Sequence, residues 1–354
     1  LNFKINVCLF ITALMLTAAG CKTETDNPVI PGEEDILTEP LDPYKQNKLL
    51  GRGINLGNSL EAPKEGDWGV QLKEEFFVKI KEKGFNSVRV PIKWSSHASQ
   101  TAPYTIDEIF FKRIDWVIDQ SLLNGLVVII NIHHYDEMMS DPAGNKDRFL
   151  HIWDQISKRY IKTSGKLFFE ILNEPNNQLN SSLWNQYLKD AITVIRKSNP
   201  YRTLIVGTAN WNSIGNLSTI SLPEDDRNII VTYHYYSPFN FTHQGAEWVD
   251  GSNEWLGTKW FGTPQEQAAI MNDFDQALAW SINNNRPLHM GEFGAFSKAD
   301  IDSRVRWTTF VTRAAEKKGF SWSYWEFCSG FGVYNQQSGE WLTGLLNALI
   351  PNNV

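Results

Sequence analysis

Cysteine is scarce in this chain of 354 residues. There are three, and Cys8 and Cys21 both fall at its beginning. Only Cys328 lies in the body, so if the first segment is removed no intrachain disulfide can form, and a disulfide scaffold is excluded. Apolar runs of helix-spanning length are missing after the first twenty residues. Positive charge is in deficit, with 33 Lys and Arg against 40 Asp and Glu, for a net charge of −7. No basic stripe stands out, so nothing favours a nucleic-acid partner. What remains is a composition 42% hydrophobic, that of a globular chain long enough for one large domain or two ordinary ones.

The N-terminus reads as a targeting segment. Lys4 supplies a positive start, and residues 7–16 form an apolar stretch too short to cross a bilayer. LTAAGC then resembles a bacterial lipobox, with a small residue directly before Cys21. An ordinary secretory signal cleaved after Ala or Gly is the plainer alternative. The expected organisation is a lipoprotein signal peptide over 1–20, a lipid-anchored disordered tether over 21–43 and a folded domain over 44–354. Pro28, Pro31, Pro40 and Pro43, with acids between them, make the tether semi-extended. Lipidation of Cys21 would hold an exported protein at a membrane, facing the periplasm or the cell surface, without spanning it.

From Lys48 onward one rhythm recurs: a helical stretch, a glycine, then a β-rich run. The junctions read KEKGFNSVRVP, LLNGLVVIINIHH, KTSGKLFFEILNEP and EKKGFSWSYWEF. Gly84, Gly125, Gly165 and Gly319 are placed as left-handed caps after the last helical turn. In 107–124, Phe110, Ile114, Val117, Ile118 and Leu122 share one face; in 263–284, Met271, Phe274, Leu278 and Ile282 do the same. TPQE opens the second helix as a capping box from Thr263 to Glu266. Eight β-like runs fall near 51–57, 85–90, 126–133, 167–173, 203–208, 228–235, 287–292 and 320–326. Strands alternating with helices predict an α/β domain, a single (β/α)8 TIM barrel. A doubly wound open sheet is the runner-up, but GRGINLGNS lacks the GxGxxG spacing such a fold usually carries.

The carboxyl ends of the strands are where a barrel gathers its chemistry. Arg89 ends the second run, His133 and His134 the third, and Asn173 and Glu174 the fourth. Asn210 and Trp211 follow the fifth. His234 and Tyr236, Glu292, and Trp325 with Glu326 end the last three. Alternation points Arg89, His133, Glu174, His234, Glu292 and Trp325 into the mouth, above Ser87, Asn131, Leu172, Thr232, Met290 and Ser323. Glu170 falls deeper and needs a buried partner. Singly, Glu174 and Glu292 would pass for ordinary loop carboxylates. Together they suit glycosidic cleavage, which needs a protonated acid facing an ionised nucleophile or base. The 14 tryptophans fit, since several sit in polar company (GDWGV, ANWNS, TKWFG) where flat faces stack on sugar rings, although most indoles are simply core. His133-His134 suggests a metallohydrolase, but further ligands are lacking at convincing positions; no metal and no cofactor are expected.

These stretches resemble glycoside hydrolase family 5, the large cellulase family: GINLGN at 53–58, VRVPIKW at 88–94, NIHH at 131–134, FEILNEP at 169–175, YHYYSPF at 233–239, MGEFG at 290–294 and YWEFCSGFGVY at 324–334. The last is similar to the bacterial endo-β-1,4-glucanase branch. The resemblance implies Glu174 as acid/base, Glu292 as nucleophile, and Asn173 on the 2-hydroxyl of the −1 sugar. It implies that Arg89, His133, His234 and Tyr236 shape the site, and that Trp325 is the platform under the −1 ring. His134 and Trp211 would line subsites, and Trp255 and Trp260 would hold sugars further along. Arg89 and Tyr236 would keep Glu292 ionised, and its charge would raise the pKa of Glu174. The expected substrate is a plant-cell-wall-type β-1,4-glucan, cut internally with retention by a monomer. A β-mannanase, glucomannanase or xyloglucanase on the same machinery, and a non-catalytic glycan-binding lipoprotein, are the alternatives.

Overall fold

The computed structural model describes residues 37–351. Cys8, Cys21, the expected signal peptide and most of the tether lie outside the described residues. Asp42, at the end of the expected tether, caps a helix over Pro43–Leu50 by accepting from the N–H groups of Tyr44 and Lys45.

Eight parallel strands close into a barrel in sequence order. They are β1 (Arg52–Asn55), β2 (Ser87–Val90), β3 (Val127–Asn131), β4 (Leu167–Glu170), β5 (Leu204–Gly207), β6 (Ile229–Tyr235), β7 (Leu288–Phe293) and β8 (Ser321–Tyr324). β1 pairs with β8 in parallel and completes the ring. β1, β3, β4 and β8 end two or three residues earlier than the apolar runs suggest, because the run continues into loop that is still buried. Ile171 and Leu172, after β4, are fully buried but no longer in the strand.

Two apolar layers hold the wall. Inside the barrel, Leu50, Val127, Ile129, Phe168, Ile205 and Ile230 form a compact plug. Outside it, the alternate strand residues pack against the helices in a much larger core. The helix Pro43–Leu50 seals the amino end: Ser87 Oγ donates to the Leu50 carbonyl and Ser321 Oγ to Asn47 Oδ1, both at 2.7 Å.

The helices form where periodicity and caps place them. Asp107 caps Glu108–Leu123, which buries Phe110, Ile114, Val117 and Ile118. Thr263 and Glu266 make both bonds of the capping box ahead of Pro264–Asn284. The buried face of this second helix differs from the expectation: Ile270, Phe274, Ala277 and Ser281 face inward, whereas Ile282 is 67% exposed. Small side chains at 277 and 281 let the helix approach the wall closely, so the stripe runs one residue earlier. Gly84, Gly125 and Gly319 are left-handed as expected, and Gly165 is not. A Cβ at Gly165 would lie 2.7 Å from Leu37 Cδ2, so close packing explains that glycine. Replacing Thr263 by Ala should cost about 1 kcal/mol of stability, read as a lower denaturation midpoint at unchanged m-value.

Candidate active site

Above the apolar plug the barrel interior turns polar, and Arg89 is its centre. Its side chain is wholly buried. Nε and Nη2 donate to the two oxygens of Glu170 at 2.5 and 2.7 Å. Nη1 donates to Asn55 Oδ1 at 2.8 Å and Glu292 Oε1 at 2.7 Å, and Nη2 reaches Asn173 Oδ1 at 2.8 Å. The partner demanded for buried Glu170 is thus Arg89. A planar guanidinium forks onto one carboxylate and still reaches a second, which a lysine would not do.

β7 does not keep strict alternation. Tyr233 pairs with Met290 but His234 pairs with Glu292, so Gly291 is an extra residue in the ladder. Such a bulge re-aims the side chain after it. Met290 therefore joins the outer core, instead of lying beneath Glu292 as alternation requires. A Cβ at Gly291 would sit 2.6 Å from Thr232 Oγ1 and 3.2 Å from His234 Nε2, so only glycine fits. Leu172 likewise belongs to the outer core, because the chain leaves the ladder after Glu170.

Glu174 stands four residues past β4, with φ of 45°. A left-handed backbone at a glutamate is uncommon and costs energy. It turns the carboxylate over the mouth, where His234 Nδ1 lies 2.6 Å from Oε1. Glu292 Oε2 accepts from the Tyr236 hydroxyl at 3.0 Å and lies 3.6 Å from His234 Nδ1. One donor atom each from Glu174, His234 and Glu292 falls within 4.8 Å of the others. That reach is also a cation's. However, the carboxyls are already bonded to Arg89, Tyr236 and His234, and a fixed guanidinium charge touches Glu292. The set therefore suits a pair of carboxyls at different protonation better than a metal.

Burial pushes Glu174 up to about 7; Arg89 opposes this and Glu170 adds to it. The field of Glu292, expected as the cause, is thus not the leading one. Glu174 still keeps 26% of its side chain exposed, toward the cleft. Burial pushes Glu292 upward too, against the pull of His234 and Arg89. Glu292 holds the guanidinium and the phenol, so it is the better-stabilised anion of the two.

The remaining expected residues gather around this pair. His133 is buried, and its Nδ1 lies 3.1 Å from Asn131 Nδ2. Its ring runs parallel to Trp325 at 5.9 Å. His134, at φ 47°, crosses His133 edge-on at 4.5 Å and meets Trp68 at 5.6 Å. Trp325 is half-buried, and a Cβ at Gly57 would come within 3.1 Å of its ring. Trp211 is 51% exposed, at the end of a loop after β5.

The sequence profile of the cellulase family, glycosyl hydrolase family 5, matches residues 48–330. The chain belongs to this family. Among its relatives, endoglucanase H of Acetivibrio thermocellus is 39% identical over 315 residues, covering 87% of this chain and 34% of that protein. The chain thus spans about a third of that relative's length. Endoglucanase B of Clostridium cellulovorans is 28% identical, over 88% of this chain and 74% of that protein. The crystal structure of endoglucanase Cel5A from Thermotoga maritima superposes with a TM-score of 0.86 at 55% identity, covering 88% of this chain and all (100%) of the other. Structures of that enzyme also exist with cellobiose and with mannotriose.

Some features of this family 5 site were not legible in the residues. Asn55, fully buried on β1, accepts from Arg89 and donates to the carbonyls of Gly291, Ser323 and Tyr324 at 3.0–3.2 Å. Its inward register beside Gly53 was the available signal. Asn212 had none, since its place depends on a folded-back loop. Trp260, expected to hold sugar, is buried against Phe310 and serves the core. Trp255 is half-buried beside Phe239. In the same stretch Phe239 and Trp248, both exposed, pack on His243. Removing the carboxylate in Glu170→Ala leaves Arg89 buried and short of one of its two charge partners. Stability should fall by roughly 3–5 kcal/mol in urea unfolding, and activity with it.

Proposed function

We propose that this protein is a retaining, endo-acting hydrolase of internal β-1,4 linkages in glucans such as cellulose, carboxymethyl-cellulose and mixed-linkage glucan. One observation carries the reading: Glu174 and Glu292 face each other across a gap bridged by His234, their oxygens within 4.8 Å. Retaining enzymes hold their carboxyls roughly 5–5.5 Å apart, and inverting ones about 6.5–9.5 Å, to admit water between them. Membership of family 5 and relatives that are endoglucanases support the substrate class. A non-catalytic glycan binder would keep the aromatic rings but would have no need of a protonated and an ionised carboxyl held face to face.

Glu292 attacks the anomeric carbon while Glu174 gives its proton to the departing glycosidic oxygen. Arg89 and Tyr236 hold Glu292 aligned and disperse its charge before attack. The bond breaks and a glycosyl ester forms on Glu292, which is then neutral. Glu174, now ionised, takes a proton from water, whose oxygen attacks the same carbon and releases the sugar with its configuration retained. Asn173, fixed by Arg89, is placed to hydrogen-bond the sugar, with Trp325 beneath it and His133 behind. His134 and Trp211 flank the mouth as subsite walls.

Glu174→Ala should lower kcat/KM on carboxymethyl-cellulose by about 10²–10⁴-fold. Glu292→Ala should leave no measurable turnover, and turnover at the wild-type rate in both would end this reading. Because Glu174 must be protonated in the free enzyme, kcat/KM should fall as pH rises through about 7. That limb should vanish from whatever activity Glu174→Gln retains. Assays on glucomannan and xyloglucan beside carboxymethyl-cellulose rank the substrates, since a relative of this chain binds mannotriose as well as cellobiose.

We also infer, from LTAAGC alone, that the chain is exported as a bacterial lipoprotein anchored through Cys21 and tethered by the Pro-rich segment after it. Expressed in a bacterial host, the wild-type protein should partition into detergent, and Cys21→Ser into the aqueous phase. Identical partitioning would remove the anchor.

A further inference from the structure

Asn212 is fully buried beside the site, and the chemistry above makes no use of it. It ends a run of three left-handed residues, Asn210, Trp211 and Asn212, with φ of 63°, 56° and 53°. Such a run is costly, and a structure holds it only where other contacts demand it. Here they tie three parts of the mouth together. Trp211 N–H donates to the Pro175 carbonyl, next to Glu174, at 3.2 Å. His234 N–H donates to the Asn212 carbonyl at 2.9 Å. The Asn212 side chain folds back over Gly207, where any Cβ would collide with it, and its Nδ2 reaches His234 Nε2 at 3.3 Å. Both the backbone and the side chain of one residue therefore grip His234.

We propose that Asn212 is a positioning residue: its amide N–H donates to Nε2 of His234 and holds the imidazole in the Nδ1–H tautomer. His234 then donates to Oε1 of Glu174, and the acid's proton stays on Oε2, the oxygen free to face the glycosidic bond. The inference rests on the retaining-hydrolase reading.

The network sets the direction of each bond. A ring nitrogen that accepts from an amide carries no proton, so the other nitrogen must. In this orientation the unpaired atom of the Asn212 side chain is its amide oxygen, Oδ1. The reverse orientation would strand an N–H, which protein interiors tolerate less well. The opposite tautomer would leave Nδ1 as an acceptor and draw the Glu174 proton toward the ring, away from the leaving group. The Nδ1–H form also serves the second half-reaction, in which it donates to the Glu174 carboxylate that activates water. No proton leaves the ring in either step. Besides Glu174, the titratable or charged groups facing His234 are Glu292, Arg89, Glu170, His133 and His289. Burial holds the ring near a pKa of about 4, so it stays neutral where the enzyme would work.

The first test does not depend on activity. In wild-type protein labelled with 15N-histidine, two-bond 15N–1H correlations at pH 7 should show His234 protonated at Nδ1 and bare at Nε2. The reverse pattern overturns the proposal. The second test uses Asn212→Asp, which keeps the shape but sets an anion against Nε2. That anion favours imidazolium, a positive neighbour lowers the pKa of Glu174, and the alkaline limb of kcat/KM should move down by roughly one pH unit or more. In Asn212→Ala, kcat/KM should fall on p-nitrophenyl cellobioside but stay within a few-fold of wild type on 2,4-dinitrophenyl cellobioside, whose leaving group needs little acid help. A limb that stays in place, or an equal loss on both substrates, would mean a purely structural role and defeats the proposal. Wild-type protein that cleaves neither cellobioside defeats the hydrolase reading instead, and the ring correlations still decide the tautomer.

Discussion

A buried guanidinium is the constraint around which the site is arranged. Arg89 has no exposed side-chain surface, and an unpaired charge there would be very costly. Its five N–H donors are therefore fully engaged: two with Glu170 and one each with Asn173, Asn55 and Glu292. Those partners come from β1, β4 and the loop after it, and β7. One side chain on β2 thus fixes the spacing of much of the wall, and it fixes the Glu292 carboxylate as well. In the proposed reaction Glu292 gives up its charge when the glycosyl ester forms; Arg89 would still have the Glu170 carboxylate in its fork, and the barrel would not be left holding an uncompensated cation.

Above this rigid centre the reactive groups stand on irregular backbone. Gly291 bulges out of the β7 ladder and turns Glu292 inward. His134, Asn210 and Asn212 adopt left-handed backbone, and so do Glu174 and Trp211, residue types that seldom do. Strain of about 1–3 kcal/mol at each such residue has to be offset elsewhere. The close-packed strands, their apolar plug and the polar network can offset it. A fold with less burial beneath its site would relax these turns, and Glu174 would lose its place opposite Glu292.

The readable part of the chain was its periodic part. Glycine punctuation and alternating runs led to eight strands in a barrel. The capping box at Thr263 and the face of Glu108–Leu123 followed from local chemistry alone. The candidate residues were legible because strand ends are simple to count, and because their types were wrong for mere solvation. Errors arose where a local rule was carried past its range. Alternation placed Leu172 and Met290 inside, but the chain had left the ladder at one and bulged at the other. Helical spacing put Ile282 on the core face, but the small residues Ala277 and Ser281 let the helix roll. Trp260 looked like a sugar platform in TKWFG, yet a polar sequence neighbourhood does not decide which side of a loop faces solvent.

By itself, then, the sequence determined the barrel, the identity of the two carboxylates and the company they keep. These depend on residue type and on spacing along the chain, which short-range sterics and hydrophobic period translate directly. Only the tertiary structure decided that Arg89 serves Glu170 and Glu292 together, that burial is the main cause of the raised Glu174 pKa, and that Asn212 lies against His234. Each is a relation between groups 22 to 203 residues apart. Such relations follow from desolvation and from the direction of individual hydrogen bonds, and neither has a value until the chain has closed around them.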